Sequence, residues 1–198
     1  MNADSDMLQT TKTYSEESLI ADCKKGKSKA QKELYDRYAP ILLGLCIRYI
    51  KSKAEAEDVM IAGFMKIFTN LKQYEAKGSF EGWMKRIMVN ESLMYIRRNK
   101  AMYVEVDIDH AVKSPDYNWS NSNLETEDLY KMIEDLPTGY RTIFNLYAIE
   151  GYSHKEIGEM LNISESTSKS QLSRARVILQ SKVVKLEESI KRDRHERV

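Results

Sequence analysis

Five polar side chains near the C-terminus recur at helical spacing and share one chemistry. On a wheel drawn at about 100° per residue over 164–190, Ser166, Lys169, Ser170, Ser173 and Arg174 fall on one side, with Val177 beside them. Ser168, Leu172, Ala175 and Leu179 fall on the other side and are expected to face a core. Small hydroxyls let a helix sit deep in a DNA major groove, and Lys or Arg reaches guanine acceptors or phosphates there. Arg176 lies at the flank, better placed for a backbone phosphate. Just upstream, Ser153 followed by Glu156 has the spacing of a capping box, which predicts a helix over 153–161 with Ile157 and Leu161 on its inner face. Asn162-Ile163-Ser164 reads as a tight turn with an apolar plug, and Ser164 as the cap of the longer helix. Short helix, turn and longer helix make a helix-turn-helix pattern. Gly158 would suit close crossing of the two helices. Ser153, His154 and Lys155 open the first of them and can offer N–H groups and charge to a phosphate. A solvated amphipathic helix would show the same outer charges, but not the capped turn in front of them.

A second candidate surface lies in the first half. From Gly78 to Lys100, Phe80 and Trp83 stand beside Lys85, Arg86, Arg97, Arg98 and Lys100. Aromatic faces can stack unpaired bases, and cations can follow a strand backbone. The spacing of Phe80, Trp83, Ile87 and Met94 also fits a core-facing stripe, so Trp83 is expected to be largely core. Five cations cannot all be buried, so a basic surface follows in either case.

Helices must carry both sets. A short one is predicted over 16–25, capped by Ser15 and ended by Gly26. A second over 28–51 carries Leu34, Tyr38, Ile41, Leu42, Leu45 and Tyr49, with Pro40 expected to kink or split it. A third over 53–73 carries Val59, Phe64, Ile67, Phe68 and Leu71, and a fourth spans 79–99 with Ser79 as its cap. Helical periodicity resumes at 125–134, where Leu129, Met132 and Ile133 share a face. Pro137 opens a helix that runs to about Ile149 and ends at Gly151. Between these blocks, 101–124 loses the period. Val104, Val106 and Ile108 alternate with acids, but a lone strand has no partner, and Ser-Pro-Asp and Asn-rich turns follow. The stretch reads as a tether.

Composition limits the classes. The 198 residues include only 8 Gly and 3 Pro, which favours long helices with few connections. Net charge is +1, but it is unevenly spread: 17 basic and 11 acidic side chains over 14–100, one and four over 101–124, eight and nine over 125–185, and a balanced tail at 186–198. A basic block followed by an acidic tether points to a polyanionic partner. Cys23 and Cys46 are too few and too distant for a disulfide scaffold and read as buried, inert thiols. His110, His154 and His195 form no ligand spacing, so no metal or cofactor is expected. No nucleophile–base pair or Gly-rich phosphate loop is present, which argues against an enzyme. No run approaches the roughly 20 apolar residues of a membrane span, and the N-terminus lacks signal-peptide blocks, so a cytoplasmic protein is expected.

Taken together, these stretches resemble a bacterial RNA polymerase sigma factor of the sigma-70 family, extracytoplasmic-function (ECF) type. Ala30–Tyr35 with Tyr38-Ala39-Pro40, Ala54–Val59 with Phe64 and Phe68, Gly82-Trp83 through Arg97-Arg98, and Leu136-Pro137 through Arg176 carry the likeness, in the family's order, over about 16–185. The resemblance implies an all-α fold: two small helical domains joined by a flexible acidic linker, with a helix-turn-helix in the second. Domain two would span 14–100, the linker 101–124, domain four 125–185 and a tail 186–198. It implies polymerase docking through Asp58, Ile61, Ala62, Phe64 and Met65, with a departure at Ile61 and Ala62, where the family usually has Gln and Glu. It assigns −10 reading and melting to Trp83, Lys85, Arg86, Asn90, Arg97 and Arg98. Asn90 would lie near the flipped −10 base. It assigns −35 reading to Ser166, Lys169, Ser170, Ser173, Arg174 and Arg176, with Ser166 where the family often has Gly. Core RNA polymerase, promoter DNA and an anti-sigma factor are the implied partners. A stand-alone helix-turn-helix regulator is the alternative, but it would need neither a docking helix nor a tether.

Overall fold

The computed structural model describes residues 14–99 and 126–195, and the expected tether at 101–124 lies outside them. Among the described residues the elements are helical and no strand occurs.

The first four helices are α1 (Glu16–Lys24), α2 (Ser28–Tyr49), α3 (Lys53–Asn70) and α4 (Phe80–Arg98). Three of the four starts have a local cause; α2 begins after Lys27 with no side-chain cap. The Ser15, Ser52 and Ser79 side chains accept hydrogen bonds from the N–H groups of Ser18, Glu55 and Gly82, satisfying donors that a helix start leaves open. Gly26 ends α1 with φ at +74°, a conformation open to Gly at little cost. Pro40 neither splits nor ends α2, which runs unbroken through it. The pyrrolidine ring is exposed, while Leu34, Tyr38, Leu42, Leu45, Cys46 and Tyr49 bury the opposite side; that burial offsets the missing hydrogen bond. Ile41, expected in this stripe, is exposed, because the buried arc passes to its other side.

Helices α2, α3 and α4 pack on one another around a single apolar core. At one end Phe80 meets Tyr38 edge-on at 6.0 Å, Tyr74 at 5.1 Å and Trp83 in a stack at 5.8 Å. Gly63 fits beneath the Met88 side chain, where a β-carbon would collide with the thioether.

The second set comprises α5 (Thr126–Glu134), α6 (Thr138–Phe144), α7 (His154–Leu161) and α8 (Glu165–His195). Pro137 sits at the cap position before α6, one residue earlier than a first-turn proline. A π-helical turn over Asn145–Ile149 continues α6, and Gly151 ends it with φ at +80°. Met132, Ile133, Leu136 and Tyr140 pack against Ala175, Leu179 and Val183 of α8. Leu129 is exposed rather than sharing that face. Helix α8 continues through the stretch expected to be a tail.

Candidate nucleic-acid interface

The helix-turn-helix forms as its sequence requires. Both halves of the Ser153–Glu156 capping box are present: Ser153 Oγ accepts from Glu156 N at 3.3 Å, and Glu156 Oε2 accepts from Ser153 N at 2.8 Å. The Ser153 hydroxyl and N–H hold the Glu156 carboxyl below its ordinary pKa, because both bonds favour its charged form. Asn162 takes the left-handed conformation that closes α7, with φ at 57°. Ile163 plugs the turn half-buried, and Ser164 Oγ caps α8 by accepting from Thr167 N at 3.0 Å.

Gly158 is needed for a reason other than helix crossing. A β-carbon there would lie 2.8 Å from the Ile163 carbonyl oxygen, so it is the backbone of the turn that approaches. Gly158 O accepts from the N–H groups of both Asn162 and Ile163. The turn thus folds back on a glycine and fixes the angle at which α8 leaves α7.

On α8, Ser166, Lys169, Ser170, Ser173, Arg174 and Arg176 are all exposed, and Ser168, Leu172, Ala175 and Leu179 are all buried. The wheel placed each of these correctly. Lys169 pairs with Glu165 one turn earlier at 2.6 Å, an exposed bridge that is easily exchanged for a phosphate.

One cluster has no signature in the sequence. His154 Nδ1 and the buried Ser168 Oγ share a hydrogen bond at 2.9 Å, tying the start of α7 to α8. The His154 ring stacks on Tyr147 at 4.4 Å, and the Arg176 guanidinium lies 5.8 Å from the Tyr147 ring centre. Tyr147 thereby orders two basic residues at one edge of the motif. Three separate elements meet here, so no single spacing could have revealed it.

The N-terminal surface departs further from expectation. The buried stripe of α4 is Phe80, Met84, Met88, Val89, Ser92, Leu93 and Ile96; Trp83, Ile87 and Met94 are half-buried flanks. The reason is that α4 packs on α2 and α3 together, so its buried arc is wide and centred away from Trp83, Ile87 and Met94. Trp83 leans on Tyr74 at 5.3 Å and on Phe80, leaving part of its ring open. Arg86, Asn90 and Arg97 follow it at spacings of three, four and seven, all exposed on the same side. Lys85 is not on that side; it bonds Glu81 at 2.6 Å. Arg98 is exposed at the edge, and Arg97 donates to the Met160 carbonyl of α7.

On α3, Asp58, Ile61, Ala62 and Met65 are exposed, with Ile61 53% and Met65 66% open to solvent. Phe64 is not among them. It is buried, 4.7 Å from the Tyr35 ring and 6.1 Å from that of Phe68, and acts from beneath by supporting the exposed patch. Both thiols are buried, and desolvation pushes Cys23 and Cys46 up to about 11, away from reactive thiolates. Among the described residues no helix is long and apolar enough to cross a membrane.

Comparison with known proteins decides what these two surfaces belong to. Residues 34–102 match the family described as Sigma-70 region 2, and residues 126–179 match Sigma-70, region 4. The chain belongs to the sigma-70 family, in its ECF group. The exposed face of α4 thus lies in the region 2 match, and the helix-turn-helix in the region 4 match. The ECF RNA polymerase sigma factor SigW of Bacillus subtilis is 28% identical over 179 residues, which cover 83% of this chain and 94% of that protein. The ECF RNA polymerase sigma-E factor of Haemophilus influenzae is 26% identical over 181 residues, 85% and 95% of the two chains. Among solved structures, the sigma factor RpoE in complex with the anti-sigma factor NepR from Bartonella quintana aligns with a TM-score of 0.48 at 23% identity. That alignment covers 77% of this chain and 95% of that one.

Proposed function

We propose that this sigma-70 family chain directs promoter-specific initiation by division of labour among three surfaces. The face of α8 reads the −35 duplex: Lys169 and Arg174 address base edges or phosphates, Ser166, Ser170 and Ser173 allow close approach, and Arg176 holds the backbone. The face of α4 handles the −10 element: Arg86, Arg97 and Arg98 track the strand, and Asn90 lies beside the extruded base. Flipping a base costs a few kcal/mol, which a pocket must offset, and the open part of Trp83 supplies stacking area for it. Asp58, Ile61, Ala62 and Met65 dock core RNA polymerase, mostly through apolar contact, as in helix-in-groove recognition. Domain two occupies 14–100 and domain four 125–185, joined by the acidic segment 101–124.

The observation that carries this reading is the α8 face, whose exposed hydroxyls and cations stand on a turn held by Gly158 and Asn162. An anti-sigma factor would act by covering the exposed α3 and α8 faces. The chain works by binding, without covalent chemistry, in the cytoplasm.

Run-off transcription with core polymerase and a promoter library tests it. Promoter-dependent transcripts should require the chain, and Lys169→Ala and Arg174→Ala should each weaken promoter binding by about 1–3 kcal/mol if they contact bases. Tight, sequence-specific duplex binding by the chain alone, with no polymerase-dependent transcript, would instead establish a stand-alone regulator.

A further inference from the structure

The turn between α1 and α2 carries a charge that none of the three surfaces above uses. The nine residues from Lys24 to Lys32 contain five lysines and no carboxylate. Lys24 and Lys25 stand at the end of α1, and Lys27, Lys29 and Lys32 at the start of α2. The bend at Gly26, with φ at +74°, folds the two runs into one place. Lys25, Lys27, Lys29 and Lys32 are all exposed. Asp22 is shared between Lys27 at 2.9 Å and Lys25 at 3.9 Å, and Asp36 pairs with Lys32. The lysine side chains of these bridges are 54% to 77% exposed, so phosphates can replace the carboxylates. A 3-10 turn over Leu71–Gln73 packs on α1 and adds the exposed Lys72. Like charges crowded in this way repel, and in the first turn of α2 they also oppose the helix dipole. A polyanion seated on the turn relieves both costs.

The cluster adjoins the aromatic end of α4. Lys24 Nζ donates to the Tyr74 carbonyl at 2.8 Å and lies 5.8 Å from the Tyr74 ring centre. Tyr74 in turn lies 5.3 Å from Trp83, whose open ring area is assigned above to the −10 base. One ring therefore separates the first lysine from the stacking surface. A single strand leaving Trp83 across Tyr74 meets the lysines within a few nucleotides, as cations track a backbone beside stacked bases. A lipid surface fits less well. Interfacial basic segments pair their cations with inserted Trp, Phe or Leu, and the stretch from Lys24 to Lys32 has no large apolar residue.

We propose that Lys25, Lys27, Lys29 and Lys32 form a phosphate-binding surface for the single strand that leaves the −10 base, holding it without reading its sequence. Ammonium groups on flexible stems follow a backbone and lack the planar fork of a base-reading arginine. The surface sets how firmly the opened strand is held and how steeply that hold depends on salt. The inference rests on the −10 assignment above.

The test is salt-dependent binding of a forked promoter fragment by the full-length chain with core polymerase. The fragment is single-stranded through and beyond the −10 element. Lys25→Gln, Lys27→Gln and Lys29→Gln together should lower the slope of log affinity against log salt by about two, at about 0.7 per phosphate on a single strand. Near physiological salt that corresponds to at least about a tenfold loss of affinity. The loss should be equal for every sequence beyond the −10 element, and should vanish on a fragment whose single strand ends there. Lys25→Arg, Lys27→Arg and Lys29→Arg together keep the charge and should retain both slope and affinity. The unfolding midpoint of the Gln variant should match that of the unmodified chain. An unchanged slope and affinity in the Gln variant, with Lys169→Ala still weakening −35 duplex binding, would overturn the lysine surface and leave the promoter assignment standing. So would a loss that persists on the shortened fragment. The lysine surface also falls if the Gln variant loses binding to phosphatidylglycerol vesicles but not to DNA. Absence of promoter-dependent binding by the unmodified complex would overturn the −10 assignment and this surface with it.

Discussion

Helices α4 and α8 each carry exposed basic residues on the faces proposed to meet nucleic acid, yet they are built in opposite ways. Helix α8 buries a narrow stripe, and its Ser and cation positions are exposed on the other side, with Lys169 held only in a more exposed bridge to Glu165. Helix α4 is enclosed by α2 and α3 over a broad arc, and its side chains are already engaged: Trp83 on Tyr74 and Phe80, Lys85 with Glu81, Arg97 with the Met160 carbonyl. A duplex-reading helix needs an unobstructed face that enters a groove whole. A strand-opening helix can take its chemistry from aromatics that are also structural, since a base stacks on whatever ring area remains exposed. The difference predicts different sensitivities.

The largest effect should come from the aromatic end of α4. Phe80→Ala removes the ring shared by Tyr38, Tyr74 and Trp83 and should lower stability by about 3–5 kcal/mol in thermal or denaturant unfolding. Measured loss below about 1 kcal/mol would mean that the shelf beneath Trp83 is not what holds α4. Next, Gly158→Ala should cost about 1–3 kcal/mol, because the Ile163 carbonyl must move before a β-carbon fits. That variant should also weaken −35 duplex binding by the polymerase complex although it touches no DNA, since it changes how α8 is presented.

Within α4, Arg86→Ala should reduce −10 single-strand binding more than Lys85→Ala, in equilibrium titrations with the polymerase complex. Arg86 is on the open side with Asn90 and Arg97, and Lys85 is neutralised off that side by Glu81. Equal losses would erase the distinction between the two faces of α4. The smallest effect concerns the capping box. The folded-state pKa of Glu156 is depressed, so its contribution to stability is present above the unfolded value and is lost as pH falls through the folded one. Between about pH 5 and pH 3 the unfolding midpoint of the unmodified chain should therefore fall more steeply than that of Glu156→Gln.

Legibility in the sequence followed the same contrast. Caps, glycine stops and the α8 wheel depend on neighbours within one turn, and Ser15, Ser79, Ser153, Ser164, Gly26 and Gly151 all act as their local chemistry requires. Where two packing partners act at once, the buried position lies one residue from the one that spacing suggests, as with Trp83, Ile87 and Met94 on α4 and Ile41 on α2. Phe64 shows the limit of spacing for the exposed patch on α3. Its spacing puts it near Ile61 and Met65, but Tyr35 and Phe68 draw its ring inward.

By itself the sequence determined that the chain is helical, where most helices begin and end, and that one C-terminal helix turns small hydroxyls and cations outward. These are consequences of hydrogen bonds and side-chain periods counted over a few residues. Only the tertiary structure decided which cations of α4 remain free, that Tyr147 gathers His154 and Arg176, and that Arg141 and Asn145 cap a helix more than ninety residues upstream. Those outcomes depend on which surfaces meet after the chain has folded back on itself, and no local pattern encodes that meeting.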